Sequence, residues 1–160
     1  MLKNIRSILY IILFLLISSI TFAYFIEYVM GHKPCKLCLY QRIPYFLSLI
    51  LILNILFLKK FEKPSLLILS IIMLGSSVLA FYHFGIEQGF FNESFVCESG
   101  SLSKEMTKEE ILKQLSKNTV SCKDVGFTFF GFSLASINAI FSFVLFYVFM
   151  RLYKNYEINK

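Results

Sequence analysis

Residues 35–42 read CKLCLYQR and stand between two long apolar runs, Ser7–Ile26 and Ile43–Leu58. Neither run carries a formal charge. A run of 20 residues crosses a bilayer as a helix; the second is shorter, so its helix is expected to borrow Leu39 and Tyr40. The C-x-x-C pair therefore falls at a membrane surface, at the start of a span. If a helix begins near Cys35, then Cys35, Cys38 and Arg42 lie at i, i+3 and i+7, on one face. A cation and a helix N-terminus both favour thiolate, the reactive form in disulfide exchange. Pro44 weakens the single-face expectation, because its ring excludes the Tyr40 carbonyl from a helical bond. Regular helix then begins near Gln41, or the first turn is kinked.

Two further charge-poor runs follow, Pro64–Ile86 and Val125–Met150, with His83 near the end of the first. The expected spans are about 7–28, 39–58, 64–86 and 125–150, in one membrane domain covering 1–160. The fold class is all-α, an integral membrane four-helix bundle, with no β-structure. Of the 160 residues 57% are hydrophobic, too many for an ordinary soluble domain. The net charge of +6 comes from cations flanking the runs, not from a basic patch with interleaved aromatics, so nucleic acid is not an expected partner. The first run also resembles a secretory signal, with Lys3 and Arg6 ahead of it and Thr21-Phe22-Ala23 as a cleavage site. Its apolar core is longer than such signals use.

Cation placement sets the orientation. Lys3, Arg6, Lys59, Lys60, Lys63, Arg151, Lys154 and Lys160 share one side, whereas Glu87–Asp124 holds five lysines against seven carboxylates. The positive-inside rule puts both termini in the cytoplasm and Cys97 and Cys122 outside, with the C-x-x-C pair on that same side. Lys33, Lys36 and Arg42 break the rule in the first outer loop, where they stand beside the cysteines. Tyrosines at the span ends, Tyr45 among them, read as an interfacial belt. Asn54, Asn138 and Gly75-Ser76-Ser77 read as contacts between helices. In the long outer loop Thr107 and Glu110 form a capping box and Met106 and Ile111 its staple, which predicts a short amphipathic helix.

Four cysteines outside the apolar runs suit an oxidising compartment. Two structural disulfides, one zinc site and two exchanging redox pairs are the alternatives. Zinc sites use two tight pairs or clustered His and Cys, and Cys97 and Cys122 stand 25 positions apart, so no metal is expected. A permanent Cys35–Cys38 bond closes too small a loop to stabilise the chain; C-x-x-C disulfides are the reducible kind. Redox exchange is the reading the residues favour.

The run KPCKLCLYQR from Lys33 to Arg42 resembles the first periplasmic loop of the disulfide bond formation protein B (DsbB) family, bacterial quinone-linked thiol oxidases. YHFGIEQGFF, Tyr82–Phe91, is also similar to that family, as is the order of spans and cysteines over nearly the whole chain. The resemblance implies disulfides Cys35–Cys38 and Cys97–Cys122 and an inner-membrane enzyme with periplasmic cysteines. A thioredoxin-like oxidase of the DsbA type would deliver two electrons by attacking Cys97, the Cys97–Cys122 pair would pass them to Cys35 and Cys38, and Cys38 would reduce a ubiquinone or menaquinone. Arg42 and His83 are placed to steady charge on the quinone oxygens. Vitamin K epoxide reductase-like enzymes carry their C-x-x-C at the fourth span, the reverse of the order here. A membrane protein with two static disulfides stays open as the alternative of another class.

Overall fold

The computed structural model describes residues 2–58, 61–92, 121–123, 127–129 and 131–158. Four long helices make the fold: α1 (Leu2–Tyr28), α2 (Lys36–Leu58), α3 (Glu62–Glu87) and α4 (Leu134–Ile158). Each is long and apolar enough to cross a membrane, and the chain is an all-α, multi-pass membrane bundle. Helices satisfy their own backbone groups, as a bilayer requires. Phe14, Phe57, Phe81 and Tyr147 point outward from the bundle, as lipid-facing side chains do.

α3 and α4 form the most closely packed pair, followed by α2 with α3 and α1 with α2. One core lies toward the end of the bundle where α3 begins. It joins Leu9, Ile12 and Leu16 of α1, Ile52 and Ile55 of α2, Leu66, Leu69 and Met73 of α3, and Phe149 and Leu152 of α4. Close packing between helices, rather than expulsion of water, holds such a core in lipid. Small polar residues add hydrogen bonds across the tightest pair. Ser77 Oγ donates to the Ala139 carbonyl at 3.1 Å, and Ser76 Oγ meets Ser142 Oγ at 3.1 Å. Gly75, expected in this contact, is exposed, and no described residue of another helix comes within 4 Å of where its Cβ would stand. Asn138 bonds across to α2, but Asn54 turns back to its own helix, donating to the Ile50 carbonyl at 3.0 Å.

Two helix starts differ from the expectation. α2 begins at Lys36 and continues through Pro44, so Cys35 stands at its N-cap. α4 begins at Leu134, not near Val125, and runs past Met150 to Ile158. Ahead of it is a small antiparallel hairpin, Thr128–Phe129 (β1) with Phe132–Ser133 (β2), paired Thr128 to Ser133 and Phe129 to Phe132. Gly131, at φ +83°, supplies the left-handed residue of its tight turn. Absence of charge could not separate this hairpin from the helix that follows. Ser133 marks the true start, its Oγ accepting from the Ser136 amide at 3.2 Å as an N-cap.

The end of α3 explains YHFGIEQGFF. Gly89, at φ +76°, allows the Phe90 amide to bond the Gly85 carbonyl at 2.8 Å and its own amide to bond Ile86 at 3.0 Å. These two bonds make a Schellman cap. The chain then returns so that Phe91 packs on Tyr82 and covers Gly85, where a Cβ would run into the Phe91 ring. This cap fixes the last turn of α3, which carries His83 and Glu87. The expected amphipathic helix after Thr107, and Cys97, lie outside the described residues.

Candidate active site

The site is assembled where α2 starts, α3 ends and α4 starts. Cys35 at the N-cap of α2 accepts the Cys38 amide on its sulfur at 3.3 Å, the N-cap to N3 bond in which a sulfur stands in for the usual oxygen. The Cys38 sulfur lies 2.9 Å from that of Cys35, and both are free cysteines. From α3, His83 brings Nε2 to 3.5 Å from the Cys35 sulfur. The Cys35 thiol is held down at about 4, first by the Cys38 hydrogen bond, against burial, and then by the bond and charge of His83. Cys35 is therefore a thiolate at neutral pH when reduced.

Cys122 completes the group. It is buried, disulfide-bonded, and packed with Cys35, Leu37 and Ile86. The Cys122 sulfur, the Cys35 sulfur and a ring nitrogen of His83 all lie within 4.8 Å of one another. The sequence put Cys122 on the long outer loop with Cys97, on the same side as the C-x-x-C pair; the fold sets its sulfur against that pair.

Behind His83 runs a chain of polar side chains. Asn138 Nδ2 donates to Gln41 Oε1 at 2.8 Å, and Gln41 Nε2 donates to His83 Nδ1 at 3.0 Å. That leaves the Nε2 proton of His83 for the Cys35 sulfur. Tyr45, expected at the membrane interface, is buried instead; its hydroxyl donates to Asn138 and meets Ser142. On the far side of the imidazole Glu87 Oε1 lies 3.8 Å from Nε2, and Ser133 hydrogen-bonds the same carboxylate. Glu87 Oε2 is buried with no hydrogen-bond partner among the described residues.

Arg42 differs from its expected pairing with the Cys38 thiolate. Its guanidinium donates to Glu27 Oε2 of α1 at 2.6 Å and stacks over the Tyr24 ring at 4.7 Å. The pair neutralises a cation that would otherwise be costly beside hydrocarbon. Arg42 thus ties α1 to α2 at the wall of the site.

These groups line one end of a cavity of about 410 Å³ enclosed by all four helices. Cys35, Cys38, Gln41, Arg42, His83, Glu27 and Glu87 form its polar end. Ile20, Phe22, Ala23, Ile137 and Phe141 form apolar walls. Its size is that of a small-molecule site, with few polar groups set in apolar surface. Gln41, Glu27 and Glu87 were not among the residues singled out from sequence, and Asn138 was read there only as a contact between helices. Gln41 and Glu87 carried a signal, one beside Arg42 and the other four residues after His83.

A thiol pair, an imidazole and a disulfide-bonded cysteine at the end of a cavity among four membrane-spanning helices define a membrane thiol–disulfide protein. The family model described as disulfide bond formation protein DsbB matches residues 5–152, and the chain belongs to the DsbB family. It is a membrane protein of disulfide bond formation. The chain is also 28% identical over 131 residues to uncharacterized protein RP370 of Rickettsia prowazekii (strain Madrid E), covering 81% of this chain and 76% of that protein.

Proposed function

We propose that this chain is a protein-dithiol:quinone oxidoreductase of a bacterial cytoplasmic membrane. It reoxidises a thioredoxin-like oxidase of the DsbA type and passes the electrons to ubiquinone or menaquinone. The observation that carries this reading is the meeting of Cys35, Cys38, His83 and Cys122 at the polar end of an apolar cavity within the bundle. Static bridges need neither the imidazole nor the cavity. The cation bias puts both termini in the cytoplasm and all four cysteines on the periplasmic side.

The oxidised resting form carries Cys35–Cys38 and Cys97–Cys122 disulfides. Cys97 meets the partner, whose dithiol reduces the Cys97–Cys122 bond and leaves as a disulfide. The freed Cys122 thiolate is within reach of Cys35 and attacks it, forming a Cys35–Cys122 bond and releasing Cys38 as a thiolate. Cys97 then attacks Cys122, and Cys35 departs. The low position of the Cys35 thiol makes it a good leaving group for this step. The two electrons now reside on Cys35 and Cys38, with their protons exchanged to His83 and water.

The cavity's apolar walls would suit the faces and tail of a quinone, and Arg42 and His83, both in its lining, would steady charge on the quinone oxygens. A quinone bound there accepts two electrons and two protons. Cys38 faces this cavity and is the sulfur that hands them on, and the Cys35–Cys38 bond reforms. His83 keeps an N–H on the Cys35 sulfur, and the Glu27–Arg42 pair keeps the cation at the wall. A partner oxidase lacking its resolving cysteine is expected to accumulate as a mixed disulfide on Cys97. A Cys97→Ser variant that still traps the partner through Cys122 or Cys35 overturns the order of steps. Withholding quinone should leave Cys35 and Cys38 open to alkylation, whereas static bridges would stay oxidised.

A further inference from the structure

We infer that the fully reduced form of this protein holds one zinc-class divalent cation between Cys35, Cys122 and His83, with Glu87 and Cys38 adjacent. Two independent observations point to a cation. The first is geometric. Two sulfurs and an imidazole nitrogen, all buried and drawn from different parts of the chain, lie within 4.8 Å of one another. The Cys35 sulfur and His83 Nε2 are 3.5 Å apart, the separation two ligands have across a tetrahedral Zn²⁺ with bonds of about 2.3 and 2.0 Å. The second is a buried carboxylate oxygen. Glu87 is 6% exposed at its side chain, stands 3.8 Å from His83 Nε2, and leaves Oε2 buried with no hydrogen-bond partner among the described residues. A cation between these groups satisfies that oxygen.

The donor set is chemically apt. Thiolate and imidazole are the ligands zinc favours, and Cys38, 2.9 Å from Cys35, supplies a third sulfur or leaves its place to Glu87. A ligating histidine is normally held through its other nitrogen. Gln41 already stands 3.0 Å from His83 Nδ1, and its amide needs only to turn to accept an N–H there. Spacing along the sequence argued against zinc because Cys97 and Cys122 stand 25 positions apart. The fold brings Cys122 to Cys35 and His83.

Binding is gated by redox state. While Cys122 is in a disulfide its sulfur is no thiolate and the site lacks a ligand. A dithiol or phosphine that reduces both disulfides opens it, and the cation then displaces the remaining thiol protons to solvent. No electron moves in the binding step. If the oxidoreductase reading holds, the cation stalls the enzyme when quinone is scarce and both pairs are reduced. The site itself does not depend on that reading, because it is tested without turnover.

The experiment uses the full chain in detergent, reduced anaerobically with a phosphine and then freed of it. Zn²⁺ is titrated against a chromophoric chelator, and Cd²⁺ is followed by its thiolate charge-transfer absorbance. The expected result is one cation per chain, bound at least a hundredfold more tightly by the reduced than by the oxidised protein. Cys122→Ser and His83→Ala should each weaken it tenfold or more, and Cys97→Ser should not. Alkylation mapped by mass spectrometry gives a second readout in the unsubstituted chain: Zn²⁺ should protect Cys35 and Cys122 and leave Cys97 reactive. Equal affinity of the oxidised and reduced forms overturns the proposal. So does undiminished binding by Cys122→Ser, which would assign the metal to the C-x-x-C pair alone, or equal protection of Cys97.

Discussion

At the Cys35 end the four helices stand around a cavity, whereas toward the start of α3 their side chains meet. The packed end is made of Leu9, Leu16, Ile52, Leu66, Leu69, Met73 and Phe149, all within 2% of full burial or at it. The open end is made of polar groups that hold one another: Asn138 to Gln41, Gln41 to His83, His83 to Cys35, Arg42 to Glu27. The difference separates two jobs. Packing at one end sets where the helices stand, and this allows a cavity and a set of costly buried polar groups at the other. Substitutions should therefore divide cleanly, changing stability at one end and electron transfer at the other.

The largest effect belongs to the open end. Cys38→Ser is expected to abolish quinone-linked turnover, more than a thousandfold, while thermal stability in detergent stays within a few degrees. Loss of folded protein on this change would mean that the thiol pair is a structural element. At the packed end Leu69→Ala should cost about 2–5 kcal/mol of stability through the cavity it leaves. The surviving folded protein should exchange thiols at the parent rate. If its thiol chemistry falls in step with its stability, the two ends are not separable.

Arg42→Ala comes next. Loss of a charge-assisted bond of ~1.5–3 kcal/mol should raise the quinone KM about ten- to a hundredfold, with partner exchange retained. Because the change also strands the Glu27 carboxylate, the single variant should be less stable than Arg42→Ala with Glu27→Gln. Measuring quinone KM in both separates a direct contact from a displaced α1. Unchanged KM with lost partner exchange would give Arg42 a scaffolding role instead.

A subtler effect is expected from His83→Ala in metal-free, reduced protein. Cys35 titrates at about 4, so its thiolate persists above that pH and is lost as pH falls through it. Alkylation of Cys35 should therefore keep its plateau rate down to about pH 5. Removing the imidazole withdraws a hydrogen bond and a charge that favour the thiolate, and should move the midpoint upward. An unmoved midpoint would leave the Cys38 bond as the only support of that thiolate.

The spans were legible because a bilayer demands long uncharged runs, and the C-x-x-C pair because its spacing leaves it little structural use. Boundaries were legible only where a charge marked them. Val125–Ser133 carries none, so the hairpin before α4 read as helix, although Ser133 was there as a cap. The partners within the site were harder to see. Arg42 was read by distance along the chain, and its carboxylate comes from α1, fifteen residues away. Tyr45 looked like the other tyrosines at span ends until Asn138 and Ser142 of α4 were set beside it. Cys122 was placed by sequence only on the long outer loop, and the fold sets its sulfur near Cys35.

The central claim is that the open end carries electrons from a protein dithiol to a quinone. It is tested most directly by mixing the purified chain anaerobically with a reduced thioredoxin-like oxidase and a water-soluble quinone analogue. Quinol is followed by absorbance and thiols by alkylation. The account predicts one quinol formed for each partner dithiol oxidised, catalytically in the chain. It also predicts reduced Cys35 and Cys38 when the quinone is left out. No quinol, with Cys35 and Cys38 unchanged in redox state whether or not quinone is supplied, would contradict it.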